Sequence, residues 1–409
     1  MKWLIGYNDL DREQKMFLGG GRKENGEYVQ PFIDRKAHDY IQGFPGCGKT
    51  ILLLYAVGAE LYSNPKAKIV IIEFTHALKK MLEAALKELV YNGKVIDTSS
   101  VRIMTTYDFD KAYFPEKLDL VLCDEVQDVP LKVITRMKEK SKRVLVAGDH
   151  NQSIYEQDPM WRLAPATSSE IQSAINPEVT GLKILHRLCK SITQAVEAFM
   201  PNMQIMQGRI PMIKTNVQIR LWKANGKVQE AKHIIEDAIE TVNINDSVGI
   251  LVPTQKAAVG FANRVLDALN RPNWEPVKNQ YGKYDFDSLN RHLIDNGVPM
   301  QYVGSTYGDF IKGSNLITLT TYHSSKGLDF DKVFLPGRNG CDMNVSTDLD
   351  RRVFMVAMTR SRKDLILSYN SAYPDAFVEK FKTQCLTKNL DEKTQPKAVD
   401  SDPDDLFGF

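Results

Sequence analysis

Gly43-Phe44-Pro45-Gly46-Cys47-Gly48-Lys49-Thr50 matches the phosphate-binding loop G-x-x-x-x-G-K-[ST] at every fixed position. In such a loop the glycines let backbone N–H groups surround a phosphate, the lysine reaches the β- and γ-phosphates, and the final hydroxyl binds Mg²⁺. An apolar run over residues 51–59 follows and predicts a helix whose N-terminus faces the phosphates. A chance match in a glycine-containing loop is the alternative. The stretch predicts that a nucleotide and Mg²⁺ bind at Gly43, Gly46, Gly48, Lys49 and Thr50.

A second signal is Leu120-Val121-Leu122-Cys123-Asp124-Glu125, an apolar run that ends in two carboxylates. This pattern predicts a buried strand that presents its carboxylates beside the phosphate loop. Asp124 would hold Mg²⁺, and Glu125 would orient and deprotonate the attacking water. An acidic strand-to-loop junction without a catalytic role is the alternative, and the phosphate loop upstream argues against it.

The composition is typical of a soluble globular protein, with 43% apolar and 25% charged residues in a chain of 409. A chain of this length has room for two domains of ordinary size. The five cysteines are odd in number, widely spaced and without a C-x-x-C pair, which favours reduced thiols and a cytoplasmic location. No segment has the length of a signal peptide's apolar region or of a membrane span, so we expect no membrane association.

Short apolar runs alternate with amphipathic helical patterns along most of the chain. This alternation predicts an α/β fold of two domains, each with a parallel sheet flanked by helices. We expect a first domain over residues 1–195, a second over 196–385, and an acidic, disordered tail over 386–409. The predicted strands are residues 68–74, 118–123, 143–147, 218–222, 248–252, 316–320, 333–335 and 365–368.

Five further stretches resemble the motifs of superfamily 1 helicases of the UvrD/Rep type. Residues 124–128 (DEVQD) and 147–155 (AGDHNQSIY) resemble motifs II and III. Residues 185–187 (LHR), 321–330 (TYHSSKGLDF) and 351–362 (RRVFMVAMTRSR) resemble motifs IV, V and VI, in the order that the family has. The resemblance implies two tandem RecA-like domains that hydrolyse ATP with Mg²⁺ and act on a nucleic acid.

The resemblance also implies roles for side chains around the nucleotide. Gln152 would sense the γ-phosphate, and Arg187 and Arg360 would act as arginine fingers, which in this chemistry contribute roughly 10³–10⁵ in rate. His186 stands where relatives have a tyrosine that stacks on the base, and Asp329 stands where they have glutamate. The residues that the resemblance adds to the nucleotide site are Gln14, as the residue that reads adenine, His186, Gly327 and Asp329.

A groove for a nucleic-acid strand is implied by motifs Ia, Ib, III and V. Aromatic side chains there would stack on bases, which is worth about 1–3 kcal/mol per base and tolerates any sequence. The alternative is that these aromatic side chains belong to the core. The expected contact residues are Phe74, Thr75, His76, Thr106, Tyr107, Tyr155, Trp161, Thr321 and His323.

The chain departs from the family in two ways that bear on function. Glu156 and Asp158 stand near the expected strand path, and the intervals between motifs are too short for large accessory domains. We therefore expect a compact ATP-dependent single-stranded DNA translocase or helicase, and the resemblance implies that it moves 3′ to 5′. One alternative is an ATP-gated nucleic-acid-binding or regulatory subunit of a repair, recombination or defence complex. A second alternative is an RNA motor.

The C-terminal residues 400–409 (SDPDDLFGF at 401–409) are acidic and end in phenylalanine. They resemble the Phe-terminated acidic tails of single-strand-binding proteins, which would imply a protein partner. A tail that only increases solubility is the alternative.

Overall fold

The computed structural model describes residues 4–23, 25–73, 76–158, 161–211, 216–279, 282–304, 307–308, 315–340 and 347–390. The predicted acidic tail lies outside the described residues from 391 onwards. The helices are α1 (Arg12–Gly19), α2 (Lys49–Ser63), α3 (His76–Lys87), α4 (Thr106–Lys111), α5 (Leu131–Lys140), α6 (Ser168–Ile175), α7 (Lys190–Phe199), α8 (Lys227–Asn243), α9 (Gln255–Ala268), α10 (Phe286–Asp295), α11 (Asp348–Met358) and α12 (Ala376–Glu379).

The strands form two large sheets and two small hairpins. They are β1 (Gly21–Arg22), β2 (Tyr28–Val29), β3 (Asp39–Gly43), β4 (Ile69–Glu73), β5 (Val90–Tyr91), β6 (Lys94–Val95), β7 (Arg102–Thr105), β8 (Leu118–Cys123), β9 (Ser141–Gly148), β10 (Glu178–Leu182), β11 (Gln218–Lys223), β12 (Val248–Val252), β13 (Met300–Tyr302), β14 (Ile317–Thr321), β15 (Phe330–Leu335), β16 (Ser361–Tyr369) and β17 (Leu386–Asn389).

The first sheet has six parallel strands in the order β10-β3-β9-β8-β4-β7. Successive side chains of its strands point to opposite faces, and they enter two separate apolar clusters. One face packs on α1, α2 and α3, and the other packs on α4, α5 and α6. The order brings the ends of β3, β9 and β8 side by side, which places the phosphate loop next to Asp149 and Asp124.

The second sheet has seven parallel strands in the order β13-β14-β12-β15-β16-β11-β17. Its two faces are also covered by separate clusters, with α8, α9 and α10 on one side and α7, α11 and α12 on the other. Both sheets are therefore buried on two faces, which is the usual condition for parallel strands. The predicted fold class, two α/β domains with parallel sheets flanked by helices, is confirmed.

Two segments near the expected domain limits pack with the second sheet, one as a helix on its face and one as a strand at its edge. Helix α7 spans the predicted limit at residue 195, and its apolar side chains pack in the cluster of the second sheet. Strand β17 lies within the residues predicted as tail, yet it pairs in parallel with β11. The described chain is thus ordered by sheet pairing up to residue 389, beyond the predicted start of the tail at 386.

Every strand predicted from apolar runs is present, and no predicted end differs from the observed one by more than four residues. Five strands of the large sheets were not predicted: β3, β7, β10, β13 and β17. Each of these five strands has at most five residues. Strands β10 and β17 are also mostly exposed, so their sequences lack the continuous apolar run that marks a buried strand. No helix in the described part of the chain combines the length and the apolar character that a membrane span requires.

The second domain contains a fully buried ion pair that provides a test of its stability. Arg338 and Asp375 have side chains 2.5 Å apart and are 0% and 1% exposed. The other oxygen of Asp375 caps α12 by accepting from the amides of Phe377 and Val378. Because asparagine is also a good cap, Asp375→Asn removes the charge while keeping the cap. We expect a loss of about 3–5 kcal/mol in the free energy of unfolding, measured with urea.

The matched control is Asp285→Asn. Asp285 caps α10 by accepting from the amide of Ser288 at 3.2 Å. We expect its substitution to change stability by no more than about 0.5 kcal/mol. Equal effects of the two substitutions would show that the buried charge of Arg338 does not depend on Asp375.

Candidate active site

The phosphate loop connects β3 to α2, and two of its glycines are required by geometry. Gly46 and Gly48 have φ of 73° and 83°, a backbone region that favours glycine. A Cβ atom at Gly46 would lie 2.4 Å from Cβ of Arg187, and one at Gly48 would lie 2.3 Å from Nε2 of Gln14. These glycines thus let Arg187 and Gln14 pack directly against the loop.

Lys49, the first residue of α2, is nearly buried. Its Nζ donates to the carbonyls of Gly43 at 2.8 Å and Phe44 at 3.2 Å, so the ammonium lies against the loop itself. Burial lowers the pKa of Lys49, but Cys47 and the carboxylates at the ends of β8 and β9 outweigh this effect and raise it. The lysine remains a cation at the mouth of the loop. Cys47 is buried, which raises the pKa of its thiol and makes it a poor nucleophile.

Thr50 and Asp124 lie together at the end of α2 that faces β8. The hydroxyl of Thr50 donates to Oδ2 of Asp124 at 2.5 Å. Burial, and next the neighbouring charge of Glu125, raise the pKa of Asp124 to about 6. A desolvated carboxylate in this position gains by binding a cation, so the pair fits a Mg²⁺ site.

Mg²⁺ would need further ligands from a nucleotide and from water. Within the described residues no three His, Cys, Asp or Glu side chains are arranged to hold a metal ion by themselves. Mg²⁺ is commonly held by one or two carboxylates together with phosphate oxygens and water. The predicted ligands Thr50 and Asp124 therefore suit a metal that arrives with the nucleotide.

Glu125 is held in a left-handed conformation, with φ of 51°. Its Oε2 accepts from Nε2 of Gln127 at 2.5 Å and lies 3.7 Å from Nζ of Lys326. Burial raises the pKa of Glu125, but Lys326 and Lys49 outweigh it and bring the pKa to about 2. Asp124 and Glu125 are thus neighbouring carboxylates with opposite shifts, of which Glu125 stays ionised. This environment suits a group that polarises water.

Gln152 follows β9 and is buried beside the same cluster. Its Nε2 donates to Oδ2 of Asp149 at 3.0 Å, and its carbonyl accepts from Nζ of Lys326 at 2.8 Å. The amide of Asp149 is in turn bonded to Oε1 of Gln127. The side chain expected to sense a γ-phosphate is therefore joined by hydrogen bonds to the residues that follow both β8 and β9.

Lys326 is the functional residue that sequence reasoning missed. It belongs to the second domain, yet its side chain is only 5% exposed and forms an ion pair with Asp128 of the first domain. Asp128 is completely buried, which together with Glu125 raises its pKa to about 6 in spite of the lysine. Asp128 lies in motif II and Lys326 lies in motif V, so the motifs gave a signal for both residues. The sequence alone assigned neither of them a role.

Arg187 reaches the phosphate loop through its backbone. The amides of His186 and Arg187 donate to the carbonyl of Gly46 at 2.9 and 3.1 Å. The guanidinium of Arg187 lies 3.7 Å from the carboxylate of Asp329. The structure thus brings together Arg187, the loop and motif V, and the role of Arg187 as an arginine finger stays a prediction.

Arg360 is 2% exposed and lies at the end of α11. It donates to the carbonyls of Val356 and Leu328 and to the hydroxyl of Thr359, all in its own domain. Burial, and then the nearby charge of Arg187, lower the pKa of Arg360 to about 9. The two predicted fingers are therefore close enough to repel each other.

Motif V contributes two further predicted residues to this side of the cleft. Gly327 has φ of 82°, which allows the chain to turn sharply after Lys326. Asp329 lies between Arg187 and Arg362, whose side chains are 3.7 and 4.0 Å away. Asp329 thus holds the arginines of motifs IV and VI near each other.

Gln14 is completely buried against the phosphate loop. Its Nε2 donates to the carbonyl of Cys47 at 3.2 Å, and its Oε1 accepts from the amide of Asp11 at 3.0 Å. In this structure both ends of the side-chain amide support the protein and none of its surface is exposed. His186 is more exposed, and its Nε2 lies 2.6 Å from Oδ2 of Asp11.

The predicted strand contacts fall into two groups of aromatic residues. Tyr107, at the start of α4, and Trp161 have ring centroids 6.0 Å apart, and Lys132 places its Nζ 3.8 Å from the centroid of Trp161. Tyr155 and His323, from different domains, have centroids 5.6 Å apart. All lie where the parallel strands end, on the same side of the sheets as the phosphate loop.

The other predicted contacts are less accessible or lie outside the described residues. Thr106 is buried, and the hydroxyl of Thr321 bonds to Ser324 within its own turn. Asp158, expected near the strand path, is buried and accepts from the amide of Trp161 at 2.9 Å, so it helps to hold Trp161 in place. The predicted contacts Phe74 and Thr75, together with the side chain of His76, lie outside the described part of the chain.

Comparison with known proteins finds an AAA domain match in the first half of the chain and a helicase domain match in the second half. Residues 31–158 match the family AAA domain, and residues 283–372 match the family UvrD-like helicase C-terminal domain. The ATP-dependent DNA helicase Rep of Buchnera aphidicola subsp. Schizaphis graminum is 42% identical over 62 residues, which are 13% of this chain and 9% of that protein. The PRRSV helicase structure is 16% identical with a TM-score of 0.41, covering 81% of this chain and 52% of that one.

The ion pair of Lys326 with Asp128 can be tested by its effect on stability. Lys326→Met leaves the carboxylate of Asp128 buried without its partner, which is usually worth about 3–5 kcal/mol. We expect a loss of that size in the free energy of unfolding. Adding Asp128→Asn to Lys326→Met should recover most of it, because the uncompensated charge is then gone.

The control for this experiment is Lys332→Met. Lys332 pairs with Asp237 at 2.5 Å on the second domain, where both side chains are partly exposed. We expect its loss to cost no more than about 1 kcal/mol. If Lys326→Met were no more costly than this control, the contact between the domains would contribute little.

Proposed function

We propose that this chain, which belongs to the UvrD/Rep type of superfamily 1 helicases, is a cytoplasmic, ATP- and Mg²⁺-dependent motor. It would move along single-stranded DNA in the 3′ to 5′ direction. The observation that supports it best is the cluster where the two domains meet. Lys49, Asp124 and Glu125 of the first domain lie there with Lys326 of the second, and Arg187 lies against the phosphate loop.

In this proposal, each residue of the cluster has its own role in ATP hydrolysis. The phosphate loop and Lys49 would bind the phosphates, and Thr50 and Asp124 would hold Mg²⁺. When bound, the metal neutralises charge on the β- and γ-phosphates. Glu125, whose pKa is held at about 2 by Lys326 and Lys49, would orient the attacking water. Arg187 and Arg360 would stabilise charge on the transferring phosphoryl group.

Hydrolysis and strand binding would be coupled through one short turn. Thr321, His323 and Lys326 lie within six residues, and Ser325 and Lys326 donate backbone hydrogen bonds to Thr321 and His323. The turn therefore joins the ring contact of His323 with Tyr155 to the ion pair of Lys326 with Asp128. A movement of this turn would change the strand groove and the nucleotide cluster together.

A regulatory ATP-gated subunit without unwinding of its own is a second candidate. Its support is the acidic side chain of Glu156, which is exposed directly after Tyr155. Asp158, which sequence reasoning had counted in its favour, is buried in the turn of Trp161. Steady ATP hydrolysis without directional displacement of a DNA-bound protein would favour this candidate over the motor.

The first test is ATP hydrolysis with and without single-stranded DNA at two salt concentrations. We expect strong stimulation by DNA that decreases with salt, because phosphate contacts release counterions. Lys49→Ala should abolish turnover, since Lys49 is expected at the phosphates. Lys66→Ala, an exposed position after α2, is the control and should leave turnover unchanged. DNA-independent hydrolysis would argue against a motor, and retention of activity by Lys49→Ala would argue against the phosphate-loop assignment.

The strand groove is tested by Trp161→Ala. If Trp161 stacks on a base, affinity for a 20-nucleotide oligo(dT) should fall by about 1–3 kcal/mol, measured by fluorescence anisotropy. Tyr113→Ala is the control, because Tyr113 is an aromatic residue of the same domain that is 85% exposed and is not among the predicted strand contacts. Parallel titrations with oligo(rU) compare the affinity for RNA with that for DNA. Tighter binding of RNA would support the RNA motor. If Trp161→Ala and the wild type bound oligo(dT) with equal affinity, Trp161 would not be part of the strand groove.

A further inference from the structure

The side-chain amide of Gln127 links the ends of two strands at the candidate active site. Gln127 is 0% exposed and lies in the short turn Val126–Asp128 that follows β8. Its Nε2 donates to Oε2 of Glu125 at 2.5 Å, and its Oε1 accepts from the backbone amide of Asp149 at 3.0 Å. One amide is therefore engaged at both ends, with a residue after β8 and with a residue after β9.

The orientation of this amide is fixed by the chemistry of its two partners. The backbone N–H of Asp149 can only donate, and the ionised carboxylate of Glu125 can only accept. The oxygen of Gln127 must therefore face Asp149, and its nitrogen must face Glu125. The last residue of β9 leaves room for the amide, because a Cβ atom at Gly148 would lie 2.3 Å from Oε1 of Gln127.

The carboxylate of Glu125 has one partner in each domain. In the part of the chain that the structure describes, Gln127 is the only residue whose side chain donates a hydrogen bond to it. The partner from the second domain is Lys326, whose Nζ lies 3.7 Å from Oε2. The ammonium group follows any displacement of the second domain, whereas Gln127 is bonded only within the first. The position of the carboxylate relative to the first domain therefore depends on Gln127.

The same amide is connected to the side chain that is expected to sense the γ-phosphate. Nε2 of Gln152 donates to Oδ2 of Asp149 at 3.0 Å, and the hydroxyl of Ser153 donates to the carbonyl of Gln127 at 3.1 Å. A path of hydrogen bonds thus runs from Gln152 through Asp149 and Gln127 to Glu125. All of its members belong to the first domain.

We infer that Gln127 is a positioning residue for hydrolysis, which holds the carboxylate of Glu125 in register with the end of β9 that carries Gln152. This inference rests on the proposed function, in which Glu125 orients the attacking water. A misplacement of a reacting group by about 1 Å can reduce the rate by about 10²-fold. Gln127 thus acts on the rate through Glu125, without contacting the nucleotide.

The first test is Gln127→Met, which keeps the length of the side chain and removes both hydrogen bonds. We expect kcat for ATP to fall by about 10- to 100-fold, with KM and the Kd of ADP changed by no more than about twofold. A fall in kcat of less than about twofold would overturn the inference. Loss of ADP affinity as large as the loss of kcat would also overturn it, because Gln127 would then support the nucleotide site as a whole.

The matched control is Asn263→Leu, which also removes an amide that is engaged at both ends. Asn263 donates to the carbonyl of Trp274 and accepts from its amide, each at 3.0 Å, in the second domain. We expect this substitution to lower stability and to leave kcat at saturation unchanged. A loss of kcat as large as that of Gln127→Met would show that the effect is a general result of removing such an amide, which would overturn the inference.

Two further variants test whether Gln127 acts through Glu125. In a Glu125→Gln background, adding Gln127→Met should reduce kcat little further, whereas a full additional loss would show that the two residues act independently. Gly148→Ala retains Gln127 but places a Cβ atom where Oε1 now lies, and 2.9 Å from Cγ1 of Val126. We expect it to lower kcat as Gln127→Met does, and an unchanged kcat would count against the inference.

Binding of a transition-state analogue gives a measurement that does not depend on turnover. ADP with Mg²⁺ and aluminium fluoride imitates the transferring phosphoryl group together with the attacking water, so its affinity reports groups that act in the transition state. We expect Gln127→Met to weaken this complex about tenfold relative to ADP alone. An unchanged ratio, in a wild-type chain that hydrolyses ATP, would overturn this inference alone. A wild-type chain without ATP turnover would refute the proposed function and with it the role of Glu125 that this inference requires.

Discussion

The arrangement of the two domains depends on one lysine that crosses between them. Lys326 brings an ammonium group into a region where Asp128 has no exposed surface and where the carbonyl of Gln152 accepts from it. Removing such charges from water is costly, and the cost is met only while the partners stay together. Any opening of the cleft therefore has to find new partners for Lys326, Asp128 and Glu125.

This contact also explains why the two carboxylates after β8 behave differently. Asp124 and Glu125 are adjacent in sequence, the first buried and the second half-buried, yet the pKa of Asp124 is raised to about 6 and that of Glu125 is lowered to about 2. The difference arises because Lys326 lies on the side of Glu125, whereas Asp124 faces the hydroxyl of Thr50. The low pKa of Glu125 thus depends in part on a residue of the other domain, together with Lys49 of its own domain.

The sequence predicted the fold and the residues of the first domain's site because their signals are local. The phosphate loop is eight consecutive residues, and Asp124 and Glu125 follow a strand whose apolar run is visible without a structure. The ion pair of Lys326 with Asp128 joins positions 198 residues apart, and the hydrogen bond between His186 and Asp11 joins positions 175 apart. Such pairs depend on how the domains pack, which no local pattern encodes. The burial of Gln14 is of the same kind, because it results from the packing of α1 on the loop.

Arg360 shows how the closed cleft relates to the transfer of a phosphoryl group. Its hydrogen bonds go to neutral oxygens of its own domain, and burial with the neighbouring Arg187 lowers its pKa to about 9. The pKa shift means that the charged guanidinium is destabilised where it stands. A polyanion placed between Arg187 and Arg360 would relieve both the desolvation and the repulsion, and the relief would grow as charge develops on the transferred group. In the proposed function, this relief would favour a cleft closed around the phosphates and would make part of the nucleotide's binding energy available to move one domain against the other.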